Sequence, residues 1–313
     1  GQLTVEFFRV NHSVPDSLCV IVHSPEGTIM HTGDFKFDYT PIGDQVTDFA
    51  KIAAQGSAGV LALLSDSTNA SKPGYQISES VIGRNLEEIM AKAPGRLIIG
   101  TFASNLNRVM QIIWSAEKLG KRVVVEGYGM RTNVEIARAL GYLHFSDKTI
   151  ISSQDAQRVP PNRLVIVGTG AQGEDRAALM RIASKEHRFF QIEKGDTVIF
   201  SSSVIPGNER TVQKLKDTLL RSGARVVHYQ MMDVHAGGHA QQEDLKLLYR
   251  LVNPKYIVPI EGNHFLLRAA ADIAMELGWP EDRVLVPSNG QVMEFKESRG
   301  VLTDEKLNSD YIF

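Results

Sequence analysis

The chain opens as short apolar runs broken by polar, turn-forming segments. Residues 5–10, 18–22 and 28–32 read as three strands, with a loop at 11–16 and a turn at 25–27. Residues 60–64 are apolar without a break and read as a buried strand, ending in Ser65-Asp66-Ser67-Thr68. From about residue 77 the period changes. Helices are expected over 79–92, 107–119, 133–140, 176–185 and from 209 on, and strands over 96–101, 122–125, 164–167 and 197–200. That alternation predicts a parallel sheet with crossover helices. The last part returns to the first style, with strands at 224–229, 256–260, 284–286 and 291–295 and helices at 241–248 and 265–277. The expected class is therefore α/β.

Composition narrows the possibilities. The 313 residues are 43% hydrophobic and 22% charged, which suits a globular protein with ample core. Net charge is −2, so a nucleic-acid groove has to be a local patch. The single cysteine, Cys19, excludes a disulfide framework and a cysteine-rich zinc site, and fits a reducing, cytoplasmic setting. No apolar run approaches the roughly eighteen residues of a membrane span, so no membrane partner is expected. There is no signal peptide pattern. Strand-like residues begin at once after Gly1, and Tyr311-Ile312-Phe313 ends abruptly, so the chain is expected to be a fragment.

Candidate chemistry collects at strand ends. His235-Ala236-Gly237-Gly238-His239 places two imidazoles on a small-residue loop before a helix with acids in its first turn. Glycines let backbone approach a ligand and a helix start favours an anion, so the loop suits a phosphate; the plainer alternative is a surface loop that holds two histidines. His12 and Asp34 end strands on separate loops. They are either hydrogen-bonded loop residues or metal ligands, with Asp34 able to bridge two ions. Ser65-Asp66-Ser67-Thr68 is a site or a helix cap. Gly168-Thr169-Gly170-Ala171-Gln172-Gly173-Glu174 lacks the downstream acid of a dinucleotide unit, which argues against a nicotinamide or flavin cofactor but leaves phosphate binding open. Ser201-Ser202-Ser203 is a donor cluster or a turn.

Taken in order, eight motifs closely resemble ribonuclease J, of the β-CASP branch of the metallo-β-lactamase superfamily. They are Asn11-His12-Ser13-Val14-Pro15-Asp16-Ser17, Gly33-Asp34-Phe35-Lys36, Asp66-Ser67-Thr68-Asn69, Thr101-Phe102-Ala103-Ser104-Asn105, Thr169-Gly170-Ala171-Gln172-Gly173-Glu174, Phe200-Ser201-Ser202-Ser203, Pro206-Gly207-Asn208-Glu209 and the 235–239 loop. The resemblance implies a partial metallo-β-lactamase αββα sandwich, an α+β architecture, split over residues 1–75 and 225–313, with a β-CASP α/β domain inserted at 76–224. It implies a zinc-dependent ribonuclease that hydrolyses RNA phosphodiester bonds from a 5′ end or internally, in RNA processing and decay. Two zinc ions would serve a complete site, with His12 a ligand and Asp34 the bridge. Asp66 and His239 resemble the catalytic acid/base pair. Ala103, Ser104 and Asn105, together with His235, Ala236, Gly237, Gly238 and His239, resemble substrate-holding segments. RNA is the implied partner, with a homo-oligomer (dimer or tetramer) or a paralogue complex.

Three departures qualify this. The family's His-x-His-x-Asp-His metal motif is absent from these residues. The family's His-Gly-Glu at a strand end is Glu261-Gly262-Asn263 here, so Glu261, or His264 nearby, would have to replace a histidine ligand. Gly237 also stands where the family commonly has a serine. These departures keep a catalytically weakened paralogue, acting as a complex partner, as the alternative reading. A metallo-β-lactamase-fold hydrolase of a small ester is a further one. By itself this stretch is expected not to cleave RNA, and the sheet around Val5 and Val20 is expected to be left uncovered on one face.

Overall fold

A computed structural model describes residues 3–174, 177–205 and 207–308. Arg176, the expected start of one helix, as well as Pro206, Gly1 and the terminal Tyr311-Ile312-Phe313, lie outside the described residues. In chain order the elements are β1 (Thr4–Arg9), β2 (Leu18–Ser24), β3 (Gly27–His31), α1 (Phe49–Ala58), β4 (Ala62–Asp66), α2 (Glu79–Lys92), β5 (Leu97–Gly100), α3 (Leu106–Lys118), β6 (Arg122–Glu126) and α4 (Tyr128–Ala139). They continue with β7 (Leu164–Gly168), α5 (Ala178–Ala183), β8 (Thr197–Phe200), α6 (Glu209–Arg221), β9 (Arg225–His228), α7 (Gln242–Val252), β10 (Tyr256–Ile260), α8 (His264–Glu276), β11 (Gln291–Lys296) and β12 (Arg299–Lys306). Helix α2 has the expected bounds because Ser78 caps it, its side chain accepting from the Ser80 amide.

The first sheet has the order β1-β2-β3-β4-β10. Strands β1, β2 and β3 form an antiparallel meander, and β3, β4 and β10 run parallel. Alternation sends Phe8, Cys19, Ile21, Met30, Leu63 and Ile257 to one face, where they pack against residues of α1, α7 and α8 such as Ile52, Leu248 and Ala271. The other face of β4 and β10 is covered by the β11–β12 hairpin, with Tyr256 edge-on to Phe295. On that side of β1 and β2, Leu3, Val5, Phe7 and Leu18 are exposed. This unit thus has one helical layer and one full sheet, with the two-stranded hairpin on the sheet's other face among the described residues.

The second sheet is parallel throughout, in the order β6-β7-β5-β8-β9. Its strands are buried on both faces, which is why they are continuous apolar runs in the sequence. One face packs under α2, α3 and α4, the other under α5 and α6. The architecture is mixed α/β, as expected. One expected boundary moves. Residues 225–228 were assigned to the return of the first unit, but β9 pairs with β8, and Val234 and Ala236 lie in the core under α2 to α4. The physical reason is that β9 supplies another buried parallel strand, a role its apolar run cannot reveal by itself. The strand expected at 284–286 is only a single bridge, Ile257 to Val284. Helix α1 and strand β12 were not anticipated. Among the described residues no helix is long and apolar enough to cross a membrane.

The two sheets are tied together by a buried ionic chain. Lys36 Nζ lies 3.0 Å from Glu79 Oε1, and Arg108 Nη2 lies 2.6 Å from Glu79 Oε2. Arg108 Nη1 donates to Ser201 Oγ at 2.5 Å and to the Val234 carbonyl at 2.8 Å. Gln111 donates to Glu79 as well, at 2.9 Å. Burial opposes ionisation of Glu79, but Arg108 and Lys36 outweigh it and hold its carboxyl far below the usual range. Removing one partner from such a group leaves a buried charge uncompensated, at a cost of about 3–5 kcal/mol. Arg108→Met should lower unfolding stability by that amount in a urea titration, and a loss below about 1 kcal/mol would mean that the chain contributes only as an exposed ion pair does.

Candidate active site

The site sits at the carboxyl ends of the first sheet's parallel strands. Asp34 follows β3, Asp66 ends β4 and Glu261 follows β10, so three parallel strands deliver three carboxyl groups to one edge. His12 comes from the loop after β1, and His239 from the loop before α7. Two groups of side chains could hold a cation. His12, Asp34 and His239 form one, and Asp34, Asp66 and Glu261 the other; within each, the ligand atoms lie within 4.8 Å of one another. Asp34 belongs to both. It is exposed, whereas Asp66 is buried.

Each member is held from behind. His12 Nδ1 is 2.8 Å from the Gly238 carbonyl, which points Nε2 at Asp34 Oδ2, 3.5 Å away. Asp66 accepts from the Thr68 amide at 2.9 Å, and its Oδ2 is 2.8 Å from His239 Nδ1. Asp66 and His239 are thus a carboxylate–imidazole pair, and the other ring nitrogen has no hydrogen-bond partner among the described residues. Burial lowers the His12 pKa. Burial opposes protonation of His239 too, yet its hydrogen bond to Asp66 prevails and the pKa rises. Partial desolvation, and then Asp34, push Glu261 up to about 8. The Asp34 carboxyl is held low, chiefly by its hydrogen bond from Glu261. Crowded carboxyls that must share a proton are a donor set that a cation would relieve.

The 235–239 loop divides its work. Ala236 is buried, and His235 turns toward Phe102 and Tyr229, with ring centroids 5.9 and 6.4 Å away. Only His239 joins the carboxylates. A Cβ on Gly238 would lie 2.5 Å from His12 Cε1, so glycine here is what lets the loop lie against the imidazole. Gly237 faces Asn69 and Gln76. In the 103–105 segment Ser104 is exposed, while Asn105 is buried and caps α3, accepting from the Arg108 amide at 3.0 Å. The Ala103 carbonyl is bound by Asn133. His264 is not brought in: it starts α8, is exposed and belongs to neither cation-holding group. Its neighbour Glu261, with a left-handed φ of 58°, is the one that joins Asp34 and Asp66.

Three residues near the site escaped sequence reasoning. His31 feels the Asp34 and Asp66 charges, and its Nδ1 accepts from the Gly33 amide at 2.9 Å. Glu79 and Arg108 anchor the carbonyl just before His235. The one available signal was Arg108 itself, a cation inside the apolar run of α3.

The family described as "Ribonuclease J, beta-CASP domain" matches residues 94–219. Ribonuclease J2 of Bacillus subtilis is 42% identical over 292 residues, 93% of this chain and 52% of that protein. The chain is similar to ribonuclease J over about nine-tenths of its own length. Ribonuclease J of Thermus thermophilus is 41% identical, with 92% of this chain and 50% of that protein covered. Ribonuclease J 1 of Streptococcus pyogenes is 40% identical, over 93% and 52%. The chain therefore spans about half the length of the curated ribonuclease J relatives it matches. A crystal structure of a protein of unknown function from Enterococcus faecalis V583 shares the fold, with a TM-score of 0.63 over 97% of this chain and 64% of that one, at 16% identity.

Two outcomes follow from this geometry. Gly238→Ala should push His12 off Asp34 and weaken divalent-metal binding at least tenfold in a calorimetric titration, with helix content unchanged; unaltered affinity would show that the ring relaxes freely. His235 supplies a pH signature. Burial, and then the Arg108 cation, push its pKa down to about 3. The unfolded chain takes up that proton near pH 6.5 and the folded chain does not, so stability is complete above about pH 6.5 and falls as pH drops toward 3. His235→Gln should flatten that limb of a stability-against-pH curve.

Proposed function

We propose that this chain is the active-site portion of a metal-dependent ribonuclease of the ribonuclease J type, hydrolysing phosphodiester bonds of RNA. The observation that carries this is one carboxylate, Asp34, shared by two cation-holding groups beside a hydrogen-bonded Asp66–His239 pair. His12, Asp34 and Glu261 would hold the metal. Mixed nitrogen and oxygen donors suit zinc, with Asp34 bridging if two ions bind. Bound divalent ions supply the positive charge and Lewis acidity that a phosphoryl displacement needs.

The chain's own residues divide the remaining work. His239 addresses the phosphate and delivers a proton from Nε2 to the leaving oxygen, while Asp66 holds Nδ1 and stabilises the imidazolium. Ser104, Gly237 and Gly238 line the approach, where backbone lies close to a ligand. The RNA strand would run between the 101–105 and 235–239 loops. We further propose a cytoplasmic protein and a homo-oligomer or paralogue complex.

Glu261 favours a second reading, that of a catalytically weakened paralogue serving as a complex partner. A carboxyl that holds a proton near neutral pH binds metal in competition with that proton. One assay separates the readings and tests the roles. Cleavage of labelled RNA is measured for the longer protein that contains this stretch, alone and with an active paralogue, beside its His239→Ala and Asp66→Asn forms. The enzyme reading expects turnover alone, with each substitution lowering it at least a hundredfold. Asn caps a helix as well as Asp does, so a fully active Asp66→Asn would return Asp66 to a capping role. No turnover alone, but stimulation of the paralogue, would establish the second reading.

A further inference from the structure

A cavity of about 550 Å³ lies on the outer edge of β6 and shares no residue with the His12, Asp34 and Glu261 cluster. That volume falls within the range of small-molecule sites, roughly 300–1,000 Å³. Its lining includes Val134 of α4 and two aromatic rings, Phe145 and Phe189; Val125 is its buried side, the floor, and the exposed Arg131 and Glu135 are its solvent side, the rim.

The floor is the informative part. β6 is an edge strand. Residues 149–151 pair with it only at Val123, whose N–H donates to the Thr149 carbonyl at 2.8 Å and whose carbonyl accepts from the Ile151 N–H at 2.9 Å. Backbone groups on one edge of a strand recur every second residue. The N–H and C=O of Val125 therefore face the same side, one step further on. There the neighbouring segment leads into a short 3-10 turn at Asp155–Arg158, Ser153 reaching Glu126 by its side chain, and no strand continues along β6 among the described residues. Val125 is 5% exposed, so a donor and an acceptor stand side by side in a shielded part of a space lined by both apolar and polar side chains. A planar heterocycle with adjacent acceptor and donor atoms satisfies both at once, and aromatic walls suit its faces.

The rim sets the rest of the ligand. Arg138 is engaged with Asp147 and lies 4.5 Å over the Phe145 ring. Arg131 is half-exposed and its nearest acid, Glu126, is 3.8 Å away, which leaves its guanidinium able to bind. Glu135 has no cation within ion-pair reach among the described residues. A guanidinium suits a phosphate, and a carboxylate suits the hydroxyls of a ribose.

We propose that the β6 cavity binds a mononucleotide, with the base on the Val125 edge beside Phe145 and Phe189, the ribose at Glu135 and the phosphate at Arg131. This site is independent of the proposed RNA cleavage and holds whether or not the chain is a nuclease.

Calorimetric titration of AMP, UMP and adenosine into the chain, in the presence of a chelator, tests it. Saturable one-to-one binding of at least one nucleotide is expected, with AMP at least tenfold tighter than adenosine. Arg131→Ala should bring AMP down to the level of adenosine. Glu135→Trp, which fills the mouth, should abolish binding, while His239→Ala should leave it unchanged. Should circular dichroism show Glu135→Trp unfolded, Gln154→Trp blocks the cavity from the opposite rim. The proposal is overturned if no probe saturates by about 1 mM. Binding that survives the filled mouth but is lost with His239→Ala overturns it too, by placing the nucleotide at the carboxylate cluster.

Discussion

The arrangement of this molecule depends on a buried carboxylate, Glu79, clamped between two cations that come from different parts of the chain. Lys36 belongs to the loop that carries Asp34, and Arg108 belongs to a helix of the parallel-sheet unit. Neither cation nor anion could be buried alone without a large desolvation cost, so the three are buried together or not at all. Their geometry fixes more than stability. Arg108 reaches on to the Val234 carbonyl, the residue before His235, and to Ser201 at the end of β8. The loop that supplies His239 is thus held relative to the loop that supplies Asp34 by a continuous run of charge-assisted hydrogen bonds.

With that frame in place, the site needs little further support. Parallel strands bring Asp34, Asp66 and Glu261 to one edge, and the 235–239 loop brings His239 onto Asp66 while its Gly238 carbonyl turns His12 toward Asp34. The crowding of carboxyls is the electrostatic cost of this convergence. After partial burial, it is the next cause of the raised pKa of Glu261, and it is what makes the cluster a natural place for a cation. A histidine at Glu261 would lessen that crowding, so the residue that departs from the family pattern also alters the electrostatics of the whole cluster.

Pattern and propensity made much of this legible in advance. Strands β8 and β10 and helix α2 have the bounds their periodicity implies, because continuous apolar runs and a serine cap are local signals. The motif order was enough to name the family, and His12, Asp34, Asp66, His239 and Glu261 could all be singled out from it. The sequence could not rank His264 below Glu261. Only the fold brings Glu261 to Asp34 and Asp66 and leaves His264 out, while both side chains are equally plausible ligands in the bare sequence.

Tertiary structure alone decided the rest. The pairing of β9 with β8, not its composition, places residues 225–228 in the parallel sheet. Asn105 and Ala236 look like substrate-facing loop residues in sequence, but packing turns one into a helix cap and the other into core. Glu79 and Lys36 look like ordinary polar residues near a helix start and a strand end, and only the meeting of two sheets makes them a buried pair. The physical reason is common to all three cases. Periodicity and caps are set by neighbours a few residues away, whereas partners tens to hundreds of residues apart are chosen by the packing of whole elements.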